Sequence, residues 1–334
     1  MSSVAYVSHA GSGEIRVLRL ADGALAEIQR VDVGGSVMPI AIAPGQRFLY
    51  VARRSEPLEV LTCAIDPATG LLDARGHAPL PDSMAYLATD RSGRFLFGAS
   101  YGGHRITVSP IDGDGVAQPA QQVLATGRHA HAIRPDPTNR HVYSTSLGGD
   151  HIACWRFDAA TGALSPNEPA QVAAAPGSGP RHFVWNGDAT RLTLLCELDA
   201  TLRVFDRDVA SGALQERQSC SLLPPGFAGK PWAADLRMTP DGRHLVASER
   251  TSSTLAVFAV DVANGVLALR GHVATATTPR SIAIDPTGHW LIAAGQDADA
   301  VALHAFDPAS GTPDPARYVA VGRQPAWVEF IALG

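Results

Sequence analysis

The chain has 334 residues, of which 46% are apolar and 18% are charged, and its formal net charge is −5. This mild acidic balance, without a run of basic residues, argues against nucleic acid as a partner. No apolar run reaches the length of a membrane span, and the first residues lack the regions typical of a signal peptide. We therefore expect a cytoplasmic protein that is not associated with a membrane and can bury a large core.

One pattern recurs along the chain about every 50 residues. The N-terminal segment VAYVSHAGSGEIRVLRL, from Val4, contains only its second and third strands. The C-terminal segment PAWVEFIALG, from Pro325, supplies the first strand that the N-terminal copy lacks. Six copies between these segments contain the whole pattern: IAIAPGQRFLYVA from Ile40, LATDRSGRFLFGA from Leu87, HAIRPDPTNRHVYST from His131, HFVWNGDATRLTLLC from His182, LRMTPDGRHLVAS from Leu236 and IAIDPTGHWLIAA from Ile282.

Each copy has a strand, a tight turn, a second strand, a variable loop, a third strand, a D-x-x-x-G turn and a short fourth strand. Four antiparallel strands in a repeat of this length are typical of a propeller blade. Six complete copies and two complementary fragments predict an all-β, seven-bladed β-propeller, whose last blade is closed by strands from both termini. We expect residues 1–334 to form one domain, and the segment 222–232, rich in Pro and Gly, to form a long loop.

The two faces of such a propeller differ in their sequence. The tight turns and the D-x-x-x-G turns share one face and are nearly identical between copies, which indicates a structural role. The second-to-third loops and the blade-to-blade connections share the other face, at the mouth of the central channel, and they differ from copy to copy. Function is therefore predicted at this mouth.

Several polar and aromatic side chains are expected at the mouth. The connections contribute His129, His131, Arg181, His182, Trp232 and Arg280, and the loops contribute Arg54, Tyr101, Glu197, Arg250 and Gln296. Histidines, arginines and a glutamate on one face suit the binding of an anionic, hydroxyl-rich molecule and the movement of a proton on it.

Structural roles are open for some of these residues. His129 and His131 would then bond to the backbone, and Glu197 and Arg250 would form structural ion pairs. His182 is expected to pack in the core, because strand alternation directs it away from Arg181. Trp327 is also assigned to the core.

The four cysteines, Cys63, Cys154, Cys196 and Cys220, form no C-x-x-C pair, and indicate neither a disulfide framework nor a zinc site. No G-x-S-x-G, H-E-x-x-H or P-loop motif occurs, and acidic residues do not cluster at the mouth. We expect no cofactor and no metal.

From Val4 to Val328 the chain resembles the propeller-type lactonases, the family that includes bacterial 6-phosphogluconolactonases and a fungal carboxymuconate cyclase. The most specific segments are GSGPRHFVW at Gly177, LLCELDATLRVF at Leu194, PWAADLRMTPDGRHLVASERTSSTLAVF at Pro231, LIAAGQ at Leu291 and VGRQPAWV at Val321. The resemblance implies opening of a sugar lactone, most simply 6-phosphoglucono-1,5-lactone, without a cofactor.

The family's proposed site is one His, two Arg and one Glu. On this chain these are His129 of the H-x-x-x-I-x-P-D segment, Arg181 of GPRH, Glu197 of ELDAT and Arg250 of ERTSS. The resemblance implies that His129 or Glu197 acts as general base, while the arginines bind the lactone oxygen or the phosphate.

Three features depart from the family pattern: His131 stands where a small residue is expected, the segment 52–55 has an additional basic residue, and the loop 101–104 differs. These departures leave the preference for phosphate open. Alternatives are a lactonase for unphosphorylated aldono- or aldarolactones, a muconate-type cyclase or isomerase, and a non-enzymatic scaffold propeller. We expect a monomer or a weak homo-oligomer.

Overall fold

The computed structural model describes residues 3–333, and within this range almost all regular structure is β-strand. The strands, in chain order, are β1 Ser3–His9, β2 Glu14–Ala21, β3 Ala24–Asp32, β4 Val37–Ile42, β5 Phe48–Arg53, β6 Glu59–Ile65, β7 Leu72–Pro79, β8 Met84–Thr89, β9 Phe95–Ser100, β10 Arg105–Pro110, β11 Gln122–Ala125, β12 Ala130–Pro135, β13 His141–Ser146, β14 His151–Phe157, β15 Leu164–Ala173, β16 Pro180–Trp185, β17 Arg191–Cys196, β18 Thr201–Arg207, β19 Leu214–Ser221, β20 Ala233–Met238, β21 His244–Glu249, β22 Thr254–Val260, β23 Leu267–Ala274, β24 Pro279–Ile284, β25 Trp290–Gly295, β26 Ala300–Asp307, β27 Thr312–Pro313, β28 Arg317–Ala320 and β29 Pro325–Ala332. The only helix in residues 3–333 is one 3-10 turn, Leu147–Gly149, so no described helix could cross a membrane.

The strands form seven antiparallel sheets, each with its first strand innermost. We number them as blades 1 to 7: β29-β1-β2-β3, β4 to β7, β8 to β11, β12 to β15, β16 to β19, β20 to β23, and β24 to β28. The prediction of a seven-bladed β-propeller is confirmed. The inner strands are buried and carry the core, whereas outermost strands such as β3 and β7 are largely exposed.

Blade 1 closes the ring as predicted, because it combines strands from the two ends of the chain. β29 pairs with β1 in an antiparallel register that places Val7 opposite Val328 and Ala5 opposite Phe330. Val7 and Val328 are both fully buried. The pairing therefore joins two ends of the chain through backbone hydrogen bonds and apolar packing, and it leaves no inner strand edge open at this blade.

The outermost strand of blade 7 departs from the predicted single fourth strand. It is divided into β27 and β28, and both pieces pair with β26. Pro313 ends β27 and Pro315 lies in the interruption, and neither has a backbone N–H to donate to the sheet. Proline is tolerated here because the strand lies at the outer edge of its blade.

The conserved pattern of turns on one face joins neighbouring blades. Arg140, which follows the tight turn of blade 4, donates to the carbonyl of Val209 in the D-x-x-x-G turn of blade 5 at 2.8 Å. Tyr143 donates to Gly212 of the same turn at 2.7 Å, and Tyr50 makes an equivalent bond to Gly115 of blade 3 at 2.9 Å. These contacts support the structural role that the sequence pattern indicated for this face, which we call the turn face.

We expect the Val328→Asp variant to be strongly destabilised, because it places an unpaired charge inside the closing blade. The cost should be several kcal/mol, the range for an unpaired charge in an apolar site. Chemical denaturation followed by tryptophan fluorescence measures it. Ala332→Asp, at an exposed position of the same strand, is the matched control and should unfold at nearly the wild-type denaturant concentration. Equal midpoints for the two variants would contradict the role of this pairing.

Candidate active site

The innermost strand of every blade shifts its register against the second strand close to the channel mouth. Such β-bulges break the strict alternation of side chains and re-aim the extra residue. The residues within these bulges include His131 of β12, Arg181 of β16 and Arg280 of β24. The bulges therefore provide a local backbone reason for the placement of these side chains at the mouth.

The centre of the site is one carboxylate shared by two arginines. Oε2 of Glu197, in the loop after β17, lies 2.8 Å from Nε of Arg181 and 2.8 Å from an Nη of Arg250. Both guanidinium groups are almost completely buried, whereas the Glu197 side chain keeps 13% of its surface exposed. A buried pair of this kind is stable only when further hydrogen bonds satisfy the charged groups.

Arg250, in the loop after β21, has several additional contacts. Its Nε donates to the carbonyl of Trp232 at 3.0 Å, and an Nη donates to the carbonyl of Ala233 at 3.0 Å. The guanidinium also lies 3.9 Å from the centre of the Trp232 ring, within the range of a cation–π interaction. Burial and the nearby charge of Arg181 lower the pKa of Arg250 to about 9, so it remains a cation at neutral pH.

His129 lies at one side of the mouth, immediately before β12. Its Nδ1 lies 3.1 Å from the carbonyl oxygen of Tyr101, and its ring stacks on the Tyr101 ring at 4.2 Å. The backbone N–H of His129 donates to Nδ1 of His104 at 3.0 Å. Since a carbonyl can only accept, Nδ1 of His129 is the donor in this contact, which leaves Nε2 as the nitrogen with a lone pair whenever the ring is neutral.

The backbone of His129 has a positive φ of 59°, and Gly179, Thr278 and Gln324 have the same left-handed conformation in other blade connections. The conformation is thus a shared feature of the connections. Non-glycine residues are uncommon in this region of φ, and histidine is one of the few that adopt it more readily. Its partners Tyr101 and His104 hold the ring in place.

A group of buried rings forms the floor of the mouth. His182 packs against His131 at 5.1 Å, Tyr86 at 5.1 Å and Trp327 at 5.6 Å, measured between ring centres. Its Nδ1 lies 2.8 Å from Oδ1 of the buried Asp235. The structure thus gives His182 a packing role, in line with one of the roles considered for it, and Trp327 is buried as expected.

The expected orientation of His182 was wrong. Alternation would direct His182 away from Arg181, yet Nη1 of Arg181 lies 3.3 Å from both ring nitrogens of His182. The cause is the bulge at Arg181, which lets two successive side chains face the channel. Arg181 Nη1 also donates to the carbonyl of Ala234, which fixes the guanidinium between blades 5 and 6.

His131 is buried, and its Nδ1 has no hydrogen-bond partner among the described residues. Burial, reinforced by the charges of Arg181, His182 and Arg280, lowers the pKa of His131 well below its usual value. His131 is therefore neutral at pH 7. It can form a hydrogen bond with a hydroxyl group, but it contributes no positive charge to the mouth.

Two further arginines lie at the mouth without an acidic partner. Arg54, after β5, donates to Oγ of Ser83 at 3.0 Å. Arg280 contacts Oε1 of Gln296 at 3.3 Å and Sδ of Met38 at 3.3 Å. Contacts have now been described for each side chain that the sequence predicted at the mouth. His182 lies in the floor rather than at the surface of the site.

Sequence reasoning missed Asp235 and Ser83. Asp235 accepts bonds from His182, from Oγ of Ser281 at 3.1 Å and from the backbone N–H of Ile282 at 3.0 Å, so it ties blades 5, 6 and 7 together. An acidic residue within the apolar first strand AADLRM was the available signal. Ser83 had no such signal, because a serine before a strand is common.

Two cavities lie away from the mouth. One, of about 1000 Å³, is formed at the turn face around Arg47, Asp66 and Arg75. The Asp66 carboxylate there accepts hydrogen bonds from the backbone N–H groups of Ala68 and Thr69. A second cavity of about 520 Å³ opens at the far end of the channel and includes Arg237. Neither contains His129, Glu197 or the other mouth residues.

Comparisons with known proteins agree with the seven-bladed fold. The family model described as "Lactonase, 7-bladed beta-propeller" matches residues 3–330, and the chain belongs to this family. A 6-phosphogluconolactonase of Pectobacterium carotovorum is 40% identical over 334 residues, covering 100% of both chains. Another, from Sodalis glossinidius, is 37% identical over 333 residues, covering 99% of this chain and 100% of the relative. The structure of a periplasmic gluconolactonase of Pseudomonas aeruginosa superposes with a TM-score of 0.92 at 29% identity, with full coverage of both chains.

The buried histidines of the floor should make stability depend on pH. Burial and Arg181 lower the pKa of His182 to about 3, and that of His131 is also lowered, whereas an unfolded histidine titrates near 6.5. Between these values the unfolded chain binds more protons, so stability falls as the pH drops below about 6.5. The free energy of unfolding should therefore fall between pH 7 and pH 5, and we expect this fall to be about 2 kcal/mol smaller in His131→Gln.

Denaturant titrations at the two pH values measure this difference. The matched control is His289→Gln, because His289 is exposed on the turn face; it should keep the wild-type dependence on pH. A His131→Gln variant with an unchanged dependence would show that His131 is not held neutral by its burial.

Proposed function

We propose that this protein hydrolyses a sugar lactone, 6-phosphoglucono-1,5-lactone, to the open-chain 6-phosphogluconate. The observation that carries the proposal is a pair of buried arginines that share one carboxylate, at the mouth that also contains His129, whose Nδ1 contacts the Tyr101 carbonyl. The relatives named 6-phosphogluconolactonase over the full length of the chain support the same reaction and the same class of enzyme, a carboxylic-ester hydrolase.

His129 is the general base in this mechanism. A water molecule attacks the lactone carbonyl carbon and gives a proton to Nε2 of His129. The bond between Nδ1–H and the Tyr101 carbonyl stabilises the imidazolium that forms. When the tetrahedral intermediate collapses, the ring oxygen leaves and takes this proton, becoming a hydroxyl group. The products are the carboxylic acid, which ionises, and the free enzyme with a neutral His129.

Arg181 and Arg250 stabilise the oxyanion. Their positions are set before substrate binds, since each guanidinium donates to a backbone carbonyl and forms an ion pair with Glu197. Donors that are fixed in advance need no reorganisation when negative charge develops, and one such donor contributes about 3 kcal/mol. The arginines would also hold the carboxylate product, so we expect product inhibition.

Glu197 acts as the counter-ion of these arginines rather than as the base. Its Oε2 is engaged by both guanidinium groups, which leaves that oxygen unsuited to accepting a proton from water. Its charge balances part of the positive charge of the mouth, and its carboxylate holds the two guanidinium groups close to each other. Tyr101, His131 and Trp232 line the space where the sugar ring would lie, and neutral His131 suits a hydroxyl group.

A second candidate substrate is an unphosphorylated aldonolactone. The similarity to a gluconolactonase of known structure favours it, and the chemistry at His129, Arg181 and Arg250 would be the same. The two candidates differ only in the group carried on the sugar at the end remote from the carbonyl. Comparing the two lactones as substrates of the wild-type enzyme decides between them.

We also propose that the chain works in the cytoplasm as one domain, as a monomer or a weak homo-oligomer. All four cysteines are free, and Cys63, Cys154 and Cys196 are buried, which suits a reducing compartment. Cell fractionation and light scattering test these points; recovery from the periplasm or a stable dimer at low concentration would contradict them.

Replacing the base should abolish most of the turnover. We expect His129→Gln to lower kcat by about 10²- to 10⁴-fold, the usual contribution of a general base. Release of acid at slightly acidic pH, where spontaneous ring opening is slow, measures the rate. His289→Gln, at an exposed histidine of the turn face, should retain wild-type kcat. An unaltered kcat in His129→Gln would remove His129 from the mechanism.

Replacing Arg250 should affect the rate more than substrate binding. Arg250→Gln removes one oxyanion donor, and we expect kcat to fall by about 10²- to 10³-fold with a smaller change in KM. Circular dichroism and a melting curve establish that the variant is folded. A variant with normal kcat and only a raised KM would place Arg250 in ground-state binding instead.

A further inference from the structure

The mouth contains more positive charge than the catalytic chemistry requires. Four arginines, Arg54, Arg181, Arg250 and Arg280, converge on it, and Glu197 pairs with only two of them. No carboxylate of residues 3–333 lies within ion-pair distance of Arg54 or Arg280. Arg54 and Arg280 are both half-buried and have no counter-ion among the described residues, so an anionic ligand would supply one.

Nearby acids are already engaged elsewhere. Glu249 is buried and accepts from the backbone N–H of Trp232 at 2.7 Å and from the hydroxyl of Ser252 at 2.6 Å. Asp297 accepts from the hydroxyl of Thr278 at 2.6 Å. Neither forms an ion pair with Arg54 or Arg280, so the excess charge is not neutralised by the protein itself.

The two basic residues of the segment 52–55 have different roles. Arg53 forms an ion pair with Glu59 at 3.2 Å and donates to the carbonyl of Pro57 at 2.9 Å. Arg54 has only the hydroxyl of Ser83 as a partner. These contacts give separate roles to the two basic residues of the segment 52–55, which has one more than the family pattern. Arg53 stabilises its own loop, and Arg54 is available to a ligand.

The donors of Arg54 and Arg280 are mostly unused. A guanidinium has five N–H groups; Arg54 uses one on Ser83, and Arg280 uses two, on Met38 and Gln296. Thioether sulfur is a weak acceptor. Contacts place both residues near the start of β4: the guanidinium of Arg280 lies 3.3 Å from Sδ of Met38, and the backbone N–H of Arg54 donates to the carbonyl of Ser36 at 2.7 Å. In line with this, burial, followed by the charges of Arg181, Arg250 and Arg54, lowers the pKa of Arg280 to about 9.

We propose that Arg54 and Arg280 form a subsite for a phosphate monoester, separate from the Arg181–Arg250 pair that holds the lactone carbonyl. The proposal rests on the lactonase function proposed above. A phosphate dianion presents three acceptor oxygens, and planar guanidinium groups match them with paired hydrogen bonds. The carbonyl end of the substrate then faces His129 and Arg181, and the phosphate end lies toward blades 2 and 7. The protein therefore selects a phosphorylated lactone over its unphosphorylated analogue.

The test compares two substrates across a set of variants. Wild type, Arg54→Gln, Arg280→Gln and Arg250→Gln are assayed for kcat/KM on 6-phosphoglucono-1,5-lactone and on glucono-1,5-lactone. We expect Arg54→Gln and Arg280→Gln to lose about 10- to 100-fold on the phosphorylated lactone, as for a charge-assisted hydrogen bond, and less than about threefold on the other. Arg250→Gln should lower both values together. Arg323→Gln, at an exposed arginine of the same face, is the control and should change neither.

A binding measurement separates failure of the subsite from failure of the function. Titration calorimetry with 6-phosphogluconate and with gluconate should show tighter binding of the phosphorylated acid, and Arg280→Gln should reduce this difference. Equal losses on both lactones, or an unchanged difference in binding, would overturn the subsite while leaving lactone hydrolysis intact. Turnover of neither lactone by the wild-type enzyme, with tight binding of 6-phosphogluconate retained, would overturn the proposed reaction instead.

Discussion

The pairing of β29 with β1 is the constraint on which the rest of the molecule depends. It joins the two ends of the chain within one blade, and this closes a ring in which the first strand of every blade faces the channel. The residues that meet at the mouth are far apart along the chain: Arg54 and Arg280 come from blades 2 and 7, whereas His129 comes from the connection before blade 4. Only a closed ring brings such residues together, so the chemistry of the mouth follows from the closure of the fold.

Charge is the second organising principle of the mouth. Burial lowers the pKa values of three of its arginines, Arg181, Arg250 and Arg280. Neighbouring arginines lower the pKa further at Arg250 and Arg280, and Glu197 offsets part of this effect. A different arrangement operates beneath the floor, where Asp235 accepts from His182 and lies 3.5 Å from Arg237, which in turn contacts Glu329 at 2.8 Å. The charges below the floor are thus satisfied within the protein, and the charges above it are not. This difference separates a structural network from a group of arginines that still lack counter-ions.

Repetition made the fold predictable, because blade number, closure and the structural face all follow from a pattern seen several times in one sequence. The same repetition marked the mouth residues as exceptions, and Glu197 and Arg250 proved to share a direct contact. Orientation was harder to predict. The bulge at Arg181 cancels the alternation on which the expected direction of His182 was based. The sequence also did not show which arginines form ion pairs. Arg53 and Arg54 are adjacent residues of the same type, but only Arg53 has an acidic partner, Glu59, within reach.

The bulges also suggest why this fold suits an active site. A regular innermost strand would present every second side chain to the channel, and the close approach of seven strands would favour small residues there. A bulge leaves one residue, such as Arg181 or Arg280, without a partner on the second strand. Its long side chain can then lie at the mouth, while the rest of the innermost strand stays paired with the second strand. The turn-face contacts and the Asp235 network hold the lower strands rigidly, so variation at the bulges changes the ligand chemistry while the ring remains the same.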